Sequence, residues 1–221
     1  MLTVKKDDFD ENIDDIMKSI NKMLNKEEEK NKKEKIIVVE GPQGAGKTTI
    51  TDYLRHTIPY SNLYRLSGTS DSTPTGKAKA EEMYIDLLQY LKKLENKSVN
   101  LIFDRTFFTE ENYCRLGKKQ YTFTDVYNKL LDEFAKLDFD IYYITLYLKN
   151  EEHYKQRLNR SGKAVFKGSE FAVDNSKNQQ RVYLEMSKEI KEKYPNIKVL
   201  DINTDRELNI IEEEIIDFLN K

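Results

Sequence analysis

The sequence of 221 residues predicts an α/β fold in which a mostly parallel β-sheet is covered by helices on both faces. Two observations lead to this prediction. Short apolar runs rich in β-branched residues alternate with longer segments whose apolar residues recur at helical spacing, as in βαβ units. A glycine-rich segment also separates the first apolar run from the helical segment after it. Ligands of such sheets bind beyond the carboxyl ends of the strands, so the residues after each strand are the first candidates for a functional site.

The elements follow one another from residue 35 onward. The hydrophobic spacing predicts strands over Ile36–Val39, Asn62–Leu66, Val99–Phe103, Ile141–Leu148 and Val199–Ile202. It predicts helices over Lys47–His56, Gly76–Lys93, Tyr127–Phe134, Glu151–Arg160, Val182–Ile190 and Leu208–Phe218. The segment Thr204–Glu207 matches a capping box, so we expect it to begin the last helix.

The first 34 residues differ in composition from the rest of the chain. Apolar residues at helical spacing predict an amphipathic helix over Asp10–Leu24, and almost only charged residues and Asn follow it. Such a helix packs on its own domain or on a second copy of it. A membrane-surface role is disfavoured, because the polar face is acidic as well as basic. We therefore expect an N-terminal amphipathic helix and charged linker over residues 1–34 and a separate domain over residues 35–221. A homodimer is left open.

Composition disfavours several classes of protein. A net charge of −2 does not give the basic surface that binds polymeric nucleic acid, so no such partner is expected. The longest apolar runs are too short to cross a membrane, and the N-terminus lacks the apolar stretch of a secretion signal. The single Cys excludes an intramolecular disulfide and fits a reducing compartment. We expect a cytoplasmic protein with no membrane contact.

A phosphate-binding loop follows the first strand. The segment Gly41-Pro42-Gln43-Gly44-Ala45-Gly46-Lys47-Thr48 matches the pattern G-x-x-x-x-G-K-[ST] in full. Its backbone N–H groups and the start of the next helix form an anion site for a β-phosphate. Lys47 is placed to reach the β- and γ-phosphates, and the Thr48 hydroxyl is placed to bind Mg²⁺. A glycine-rich turn alone would explain the glycines but not the Lys-Thr pair, so the loop predicts binding of a nucleoside triphosphate.

Two further groups of charged residues follow strands and helices at the same edge. Asp104 ends the third strand beside the loop, where a carboxylate can hold Mg²⁺, and Arg105 can clamp a second phosphate. The alternative is an ordinary surface pair in a turn. Arg157 and Arg160 share one helix face ahead of a polar, glycine-bearing segment, which favours a mobile lid over about residues 157–176. The alternative is that these cations only complement a helix C-terminus.

These motifs together resemble a known family. The segment Gly41–Thr49, the pair Asp104-Arg105, and Ile144–Leu148 followed by Arg157 and Arg160 resemble thymidylate kinases, and the related deoxynucleoside kinases are similar. The resemblance extends from about Lys35 to the C-terminus. It implies a three-layer P-loop kinase fold with a five-stranded parallel sheet flanked by helices. It also implies transfer of the γ-phosphoryl group of ATP, with Mg²⁺, to the 5′-phosphate of a deoxynucleoside monophosphate.

The resemblance also implies roles for individual residues. The residues assigned to ATP are Gly41, Gln43, Gly44, Ala45, Gly46, Lys47, Thr48, Thr49, Asn203 and Thr204. Arg105, with Arg65 and Gly68, is expected to bind the acceptor, and Arg157 or Arg160 is expected to supply the catalytic lid arginine. The rings of Tyr84 and Phe108 are of a type that stacks on a base, although core packing is the favoured role for each ring taken alone.

The type of acceptor follows from the residues after the second strand. A nucleoside hydroxyl needs a general base, and deoxynucleoside kinases place a Glu in this region. Here the region has no carboxylate before Asp71, whereas Arg65 and Arg105 suit an acceptor that already has a phosphate. The sequence therefore favours a nucleoside monophosphate and leaves a deoxynucleoside kinase as the alternative. A 5′-end polynucleotide kinase and a nucleotide-switch ATPase are less favoured, because the charge gives no basic groove and no Asn-Lys-x-Asp motif is present.

Overall fold

The computed structural model of the chain describes residues 33–158 and 173–221. The predicted helix over Asp10–Leu24 lies outside these residues. So do Arg160 and most of the predicted lid, residues 159–172.

Within these two described ranges, five strands form one parallel sheet whose spatial order is β2-β3-β1-β4-β5. The strands are β1 (Lys35–Glu40), β2 (Ser61–Arg65), β3 (Asn100–Asp104), β4 (Asp140–Tyr147) and β5 (Ile197–Asn203). The described residues also form seven helices. These are α1 (Lys47–Thr57), α2 (Pro74–Lys93), α3 (Phe107–Arg115), α4 (Thr124–Phe134), α5 (Glu151–Leu158), α6 (Val173–Lys193) and α7 (Leu208–Leu219). The five predicted strands are confirmed, each within two residues at either end.

The central strand explains the three layers. Ile36–Val39 is completely buried, because β1 lies between β3 and β4 and both of its faces are covered. Ile36 and Val38 pack in one core with the apolar residues of α2, α3, α4 and α6. Ile37 and Val39 pack in the other core with those of α1 and α7. The predicted α/β architecture with a covered parallel sheet is therefore confirmed. No helix among the described residues has the length and apolar character that crossing a bilayer requires.

Helix α3 was not predicted from the sequence. It begins three residues after β3, and its first six residues, Phe107–Asn112, are all buried. Three of them are Glu110, Glu111 and Asn112, so polar side chains occupy positions that face the interior. The apolar periodicity that reveals an amphipathic helix is therefore missing here, and tertiary contacts define the helix instead.

The predicted capping box before α7 is wrong. The residue before the helix is Glu207, and no side chain caps the helix there. The Thr204 hydroxyl instead donates to the carbonyl oxygens of Ala45 and Tyr147, at 3.0 and 3.2 Å. Thr204 therefore joins the end of β4 to the phosphate loop and does not begin a helix.

Candidate active site

The phosphate loop lies between β1 and α1, as its position in the sequence predicts. Gly41 has a φ of 142°, and a Cβ at this position would overlap the carbonyl oxygen of Leu146 in β4. Only glycine therefore fits where the chain leaves the sheet. The Lys47 side chain is almost buried, and its Nζ donates to the carbonyl oxygens of Gly41 and Pro42 at 2.7 and 2.8 Å. The ammonium group thereby closes the loop on itself.

Thr48 and Asp104 lie together at the edge of the sheet. The pairing of β1 with β3 places Asp104 opposite Val39, and the Thr48 hydroxyl donates to Asp104 Oδ2 at 3.1 Å. Two neighbouring ligands of an octahedral Mg²⁺, each at about 2.1 Å, lie about 3 Å apart. The oxygen types and their separation therefore fit the predicted magnesium ligands. Arg65 joins this group, because its Nε lies 3.9 Å from Asp104 Oδ2 and its guanidinium also pairs with Asp52.

Arg105 has an unusual backbone conformation. Its φ is 75°, in the left-handed region that a side chain with a Cβ enters at a cost of about 1 kcal/mol or more. The Arg105 N–H donates to the carbonyl oxygen of Val39 at 3.2 Å. The next N–H, that of Thr106, donates to Oε1 of Glu40 at 2.8 Å. Two consecutive amides thus fix the turn after β3 to the end of β1.

A cavity of about 390 Å³ brings together most of the residues predicted for ATP, with Arg105 and Arg157. Its walls include the phosphate loop and start of α1 (residues 43–50), Arg105, Arg157, Thr204 and Arg206, with Leu208 and Ile211 from α7. Among the described residues that line the cavity, four side chains are cationic and none is a carboxylate. The cavity therefore suits strongly anionic ligands.

Arg157 binds the two sides of this cavity to each other. Its Nη1 donates to Thr204 Oγ1 at 3.1 Å and to the carbonyl oxygen of Gly44 at 3.4 Å. Its Nη2 donates to the carbonyl oxygen of Thr204 at 2.5 Å. Arg157 therefore ties α5 to the phosphate loop and to the segment after β5. Asn203 does not line the cavity; its Oδ1 accepts the N–H of Asp205 instead.

Several residues predicted for the acceptor lie apart from the cavity. Tyr84 and Phe108 are buried in the core. The Tyr84 ring packs edge-on against Phe107, and the Phe108 ring stacks on the ring of Phe107. Neither ring presents a face for a base, so both rings pack in the core, the role that the sequence favours for each ring taken alone. Gly68 lies against the carboxylate of Glu110, with no room for a Cβ between them.

Two of the buried carboxylates that the sequence patterns did not reveal hold segments next to predicted site residues. Glu110 accepts the N–H of Thr69 at 2.9 Å, the hydroxyl of Tyr121 and the ammonium of Lys119. It thereby holds the loop after β2. Glu40 ends β1 with none of its surface exposed, and burial raises the pKa of its carboxyl group to about 7. An acidic residue ending an otherwise apolar run just before the phosphate loop was the one signal in the sequence for Glu40.

The raised pKa of Glu40 predicts a pH-dependent stability. Between about pH 4.5 and the folded-state pKa of about 7, the folded protein retains a proton that the unfolded chain has lost. Stability therefore falls as pH rises through this window, by about 3 kcal/mol in total. Glu40→Gln has no proton to lose, so its free energy of unfolding should increase relative to the unmodified protein between about pH 5 and about pH 8. Urea denaturation at both pH values measures this, and a difference that is independent of pH would contradict it.

The sheet order and a complete phosphate loop define the class of protein: the chain has the fold of the P-loop kinases. It is similar to thymidylate kinase from Candida albicans, with a TM-score of 0.57 and 17% identity over 85% of this chain and 92% of that one. It is also similar to deoxyadenosine kinase from M. mycoides with bound dCTP, with a TM-score of 0.51 and 22% identity over 84% of this chain and 98% of that one. No protein-family model matches the sequence, and no curated protein matches it.

Proposed function

We propose that the protein is an ATP-dependent phosphotransferase that converts a (deoxy)nucleoside 5′-monophosphate to the diphosphate, as thymidylate kinases do. One observation supports this most directly. One cavity is lined by the phosphate loop and by the cationic side chains of Lys47, Arg105, Arg157 and Arg206, and no carboxylate is found among its lining residues in the described part of the chain. Such a lining suits two phosphate-bearing ligands, and it does not provide a general base for a nucleoside hydroxyl.

In this proposal the chain acts by positioning and by charge. The loop amides and Lys47 hold the β- and γ-phosphates of ATP, and Arg105 aligns the acceptor phosphate. Thr48 and Asp104 would hold Mg²⁺, which neutralises phosphate charge when it is bound. Leu208 and Ile211 of α7 give the cavity an apolar surface for the base of ATP. Arg160 stays the candidate for the lid arginine that stabilises the transferring group.

The alternative is a deoxynucleoside kinase. The similarity to deoxyadenosine kinase from M. mycoides, over nearly the whole of that chain, is the observation that favours it. A panel of deoxynucleosides and their 5′-monophosphates, each incubated with MgATP, separates the two by chromatographic detection of the products. We expect monophosphates to be turned over at least about tenfold faster than nucleosides, because the cationic cavity binds the additional phosphate. Faster turnover of nucleosides would establish the alternative.

The same assay includes the less favoured activities. ATP hydrolysis that no nucleotide acceptor changes would indicate a nucleotide switch. Retention on single-stranded DNA at low salt would indicate a polynucleotide kinase.

Arg157 gives a prediction that separates donor binding from chemistry. Arg157→Ala should raise the KM for ATP about tenfold and leave the KM for the acceptor nearly unchanged, because its bonds join Gly44 to Thr204 on the donor side. Arg157→Lys should restore little of the affinity for ATP, since an ammonium group lacks the planar, forked donor geometry of a guanidinium. The matched control is Arg181→Ala, which removes an exposed arginine that pairs with Glu185 on α6. A fall in kcat at unchanged KM for ATP would instead support the catalytic role that the sequence predicts.

A further inference from the structure

Glu40 is a buried charge that the proposed mechanism does not use. Its Oε1 accepts the N–H of Thr106 at 2.8 Å, and its Oε2 accepts the hydroxyl of Thr109 at 2.9 Å. The side chain has no exposed surface. Burying a carboxylate is costly unless strong hydrogen bonds satisfy it, and both oxygens are satisfied here by the segment that follows Arg105.

The bond to Thr106 continues a regular pattern beyond the end of the sheet. The main chain of β1 pairs with β3 up to Val39 and Asp104, and the carbonyl oxygen of Val39 accepts the N–H of Arg105. The next N–H, that of Thr106, is accepted by the side chain of Glu40 instead of by backbone. Arg105 therefore stands between two fixed amides, in its left-handed conformation with φ 75°.

A second set of bonds holds the carboxylate itself. The Thr109 hydroxyl, in the first turn of α3, lies 2.9 Å from Glu40 and 3.0 Å from the hydroxyl of Tyr183 in α6. All three side chains are buried. Two direct hydrogen bonds, from Thr106 and Thr109, therefore hold the carboxylate, and Tyr183 of α6 supports it through Thr109.

We propose that Glu40 is a positioning residue for the acceptor arginine: its bond to Thr106 holds the backbone of Arg105 in the conformation that brings Arg105 to the wall of the cavity. This inference rests on the proposed function, in which Arg105 aligns the acceptor phosphate. It assigns to the residue just before the phosphate loop a role on the acceptor side of the reaction. Glu40 does not touch either substrate in this arrangement.

The kinetic test compares Glu40→Ala with Glu40→Gln. Glu40→Ala should lower kcat/KM for the acceptor about 30-fold to 100-fold, as expected for a misplaced aligning group, and should leave the dissociation constant for ATP within about twofold. Glu40→Gln should recover most of this loss. Its amide oxygen still accepts the N–H of Thr106, and its amide nitrogen can donate to Thr109, whose hydroxyl then turns toward Tyr183. The matched control is Glu111→Gln. Glu111 is also a fully buried carboxylate, but it lies in α3 and binds Arg115 and Thr124.

Two measurements decide whether Glu40 acts through Arg105. In an Arg105→Ala background, Glu40→Ala should cause almost no further loss, because coupled residues are not additive. A crystal structure of Glu40→Ala should show Arg105 outside the left-handed region. Equal losses in both backgrounds, or an unchanged Arg105 backbone, would overturn the proposal. If Glu40→Ala does not fold, Thr109→Val replaces it: a partial loss of acceptor kcat/KM at unchanged ATP affinity supports the proposal, and no loss overturns it.

Failure of the proposed function is recognised separately. It would appear in the unmodified protein, as the absence of transfer to every monophosphate tested. The position of the Arg105 backbone in the crystal structure of the variant would still test the role of Glu40, because that readout needs no substrate.

Discussion

Replacing Lys47 with alanine should lower kcat/KM for ATP-dependent transfer about 10³-fold, the largest effect expected for any single side chain in the site. Two losses combine. The variant lacks the ammonium group that would neutralise charge on the transferring phosphate. It also lacks the bonds from Nζ to the carbonyl oxygens of Gly41 and Pro42, which keep the loop closed before any ligand arrives. Steady-state transfer assays and calorimetric titration with MgATP measure the two losses together.

The control for this experiment is Lys136→Ala. Lys136 is exposed and pairs with Glu133 three residues away, so its removal should change neither kcat/KM for the transfer nor the affinity for MgATP. Thermal unfolding of both variants shows whether loss of the loop bonds also destabilises the fold. A Lys47→Ala variant that retains more than about a tenth of the activity would contradict the assignment of the loop as the donor site.

The sequence was most informative where the signal is local. The strands were predictable because a run such as Ile36–Val39 is apolar at every position, which is what burial on both faces of a parallel sheet requires. The phosphate loop was predictable because its glycines, Lys47 and Thr48 are contiguous, and the same few residues provide both the turn and the chemistry.

The rest of the site depends on partners that are distant in sequence. Glu40 is explained by Thr106 and Thr109, more than 60 positions further on, and neither contact has a signature in the residues around Glu40. Thr204 matched a local capping pattern, but its hydroxyl is used by Ala45 in the phosphate loop. Tyr84 has the helical spacing that both a core residue and a base-stacking residue would show. Its packing against Phe107 of α3 and against Phe123, both distant in sequence, assigns it to the core.

Arg105 offers a pair of substitutions that separates its charge from its backbone. Arg105→Ala and Arg105→Gly both remove the guanidinium, so both should lower kcat/KM for the acceptor about 10²-fold to 10³-fold, with little change in ATP affinity. The two variants should differ in stability. At a φ of 75° alanine keeps the Cβ that is disfavoured there, whereas glycine does not. Arg105→Gly should therefore be more stable than Arg105→Ala by about 1 kcal/mol in urea denaturation.

This pair also tests why the chain tolerates strain at this position. If the left-handed backbone serves only to orient the guanidinium, relieving the strain with glycine should restore no activity. Arg105→Lys keeps a charge without the bidentate fork, so its kcat/KM for the acceptor should lie between those of the unmodified protein and Arg105→Ala. If Arg105→Gly were instead as active as the unmodified protein, the cation would have no part in acceptor alignment. Equal stability of the alanine and glycine variants would mean that the turn after β3 has relaxed in both, despite its bonds to Val39 and Glu40. The two bonded amides would then not determine the conformation of this turn.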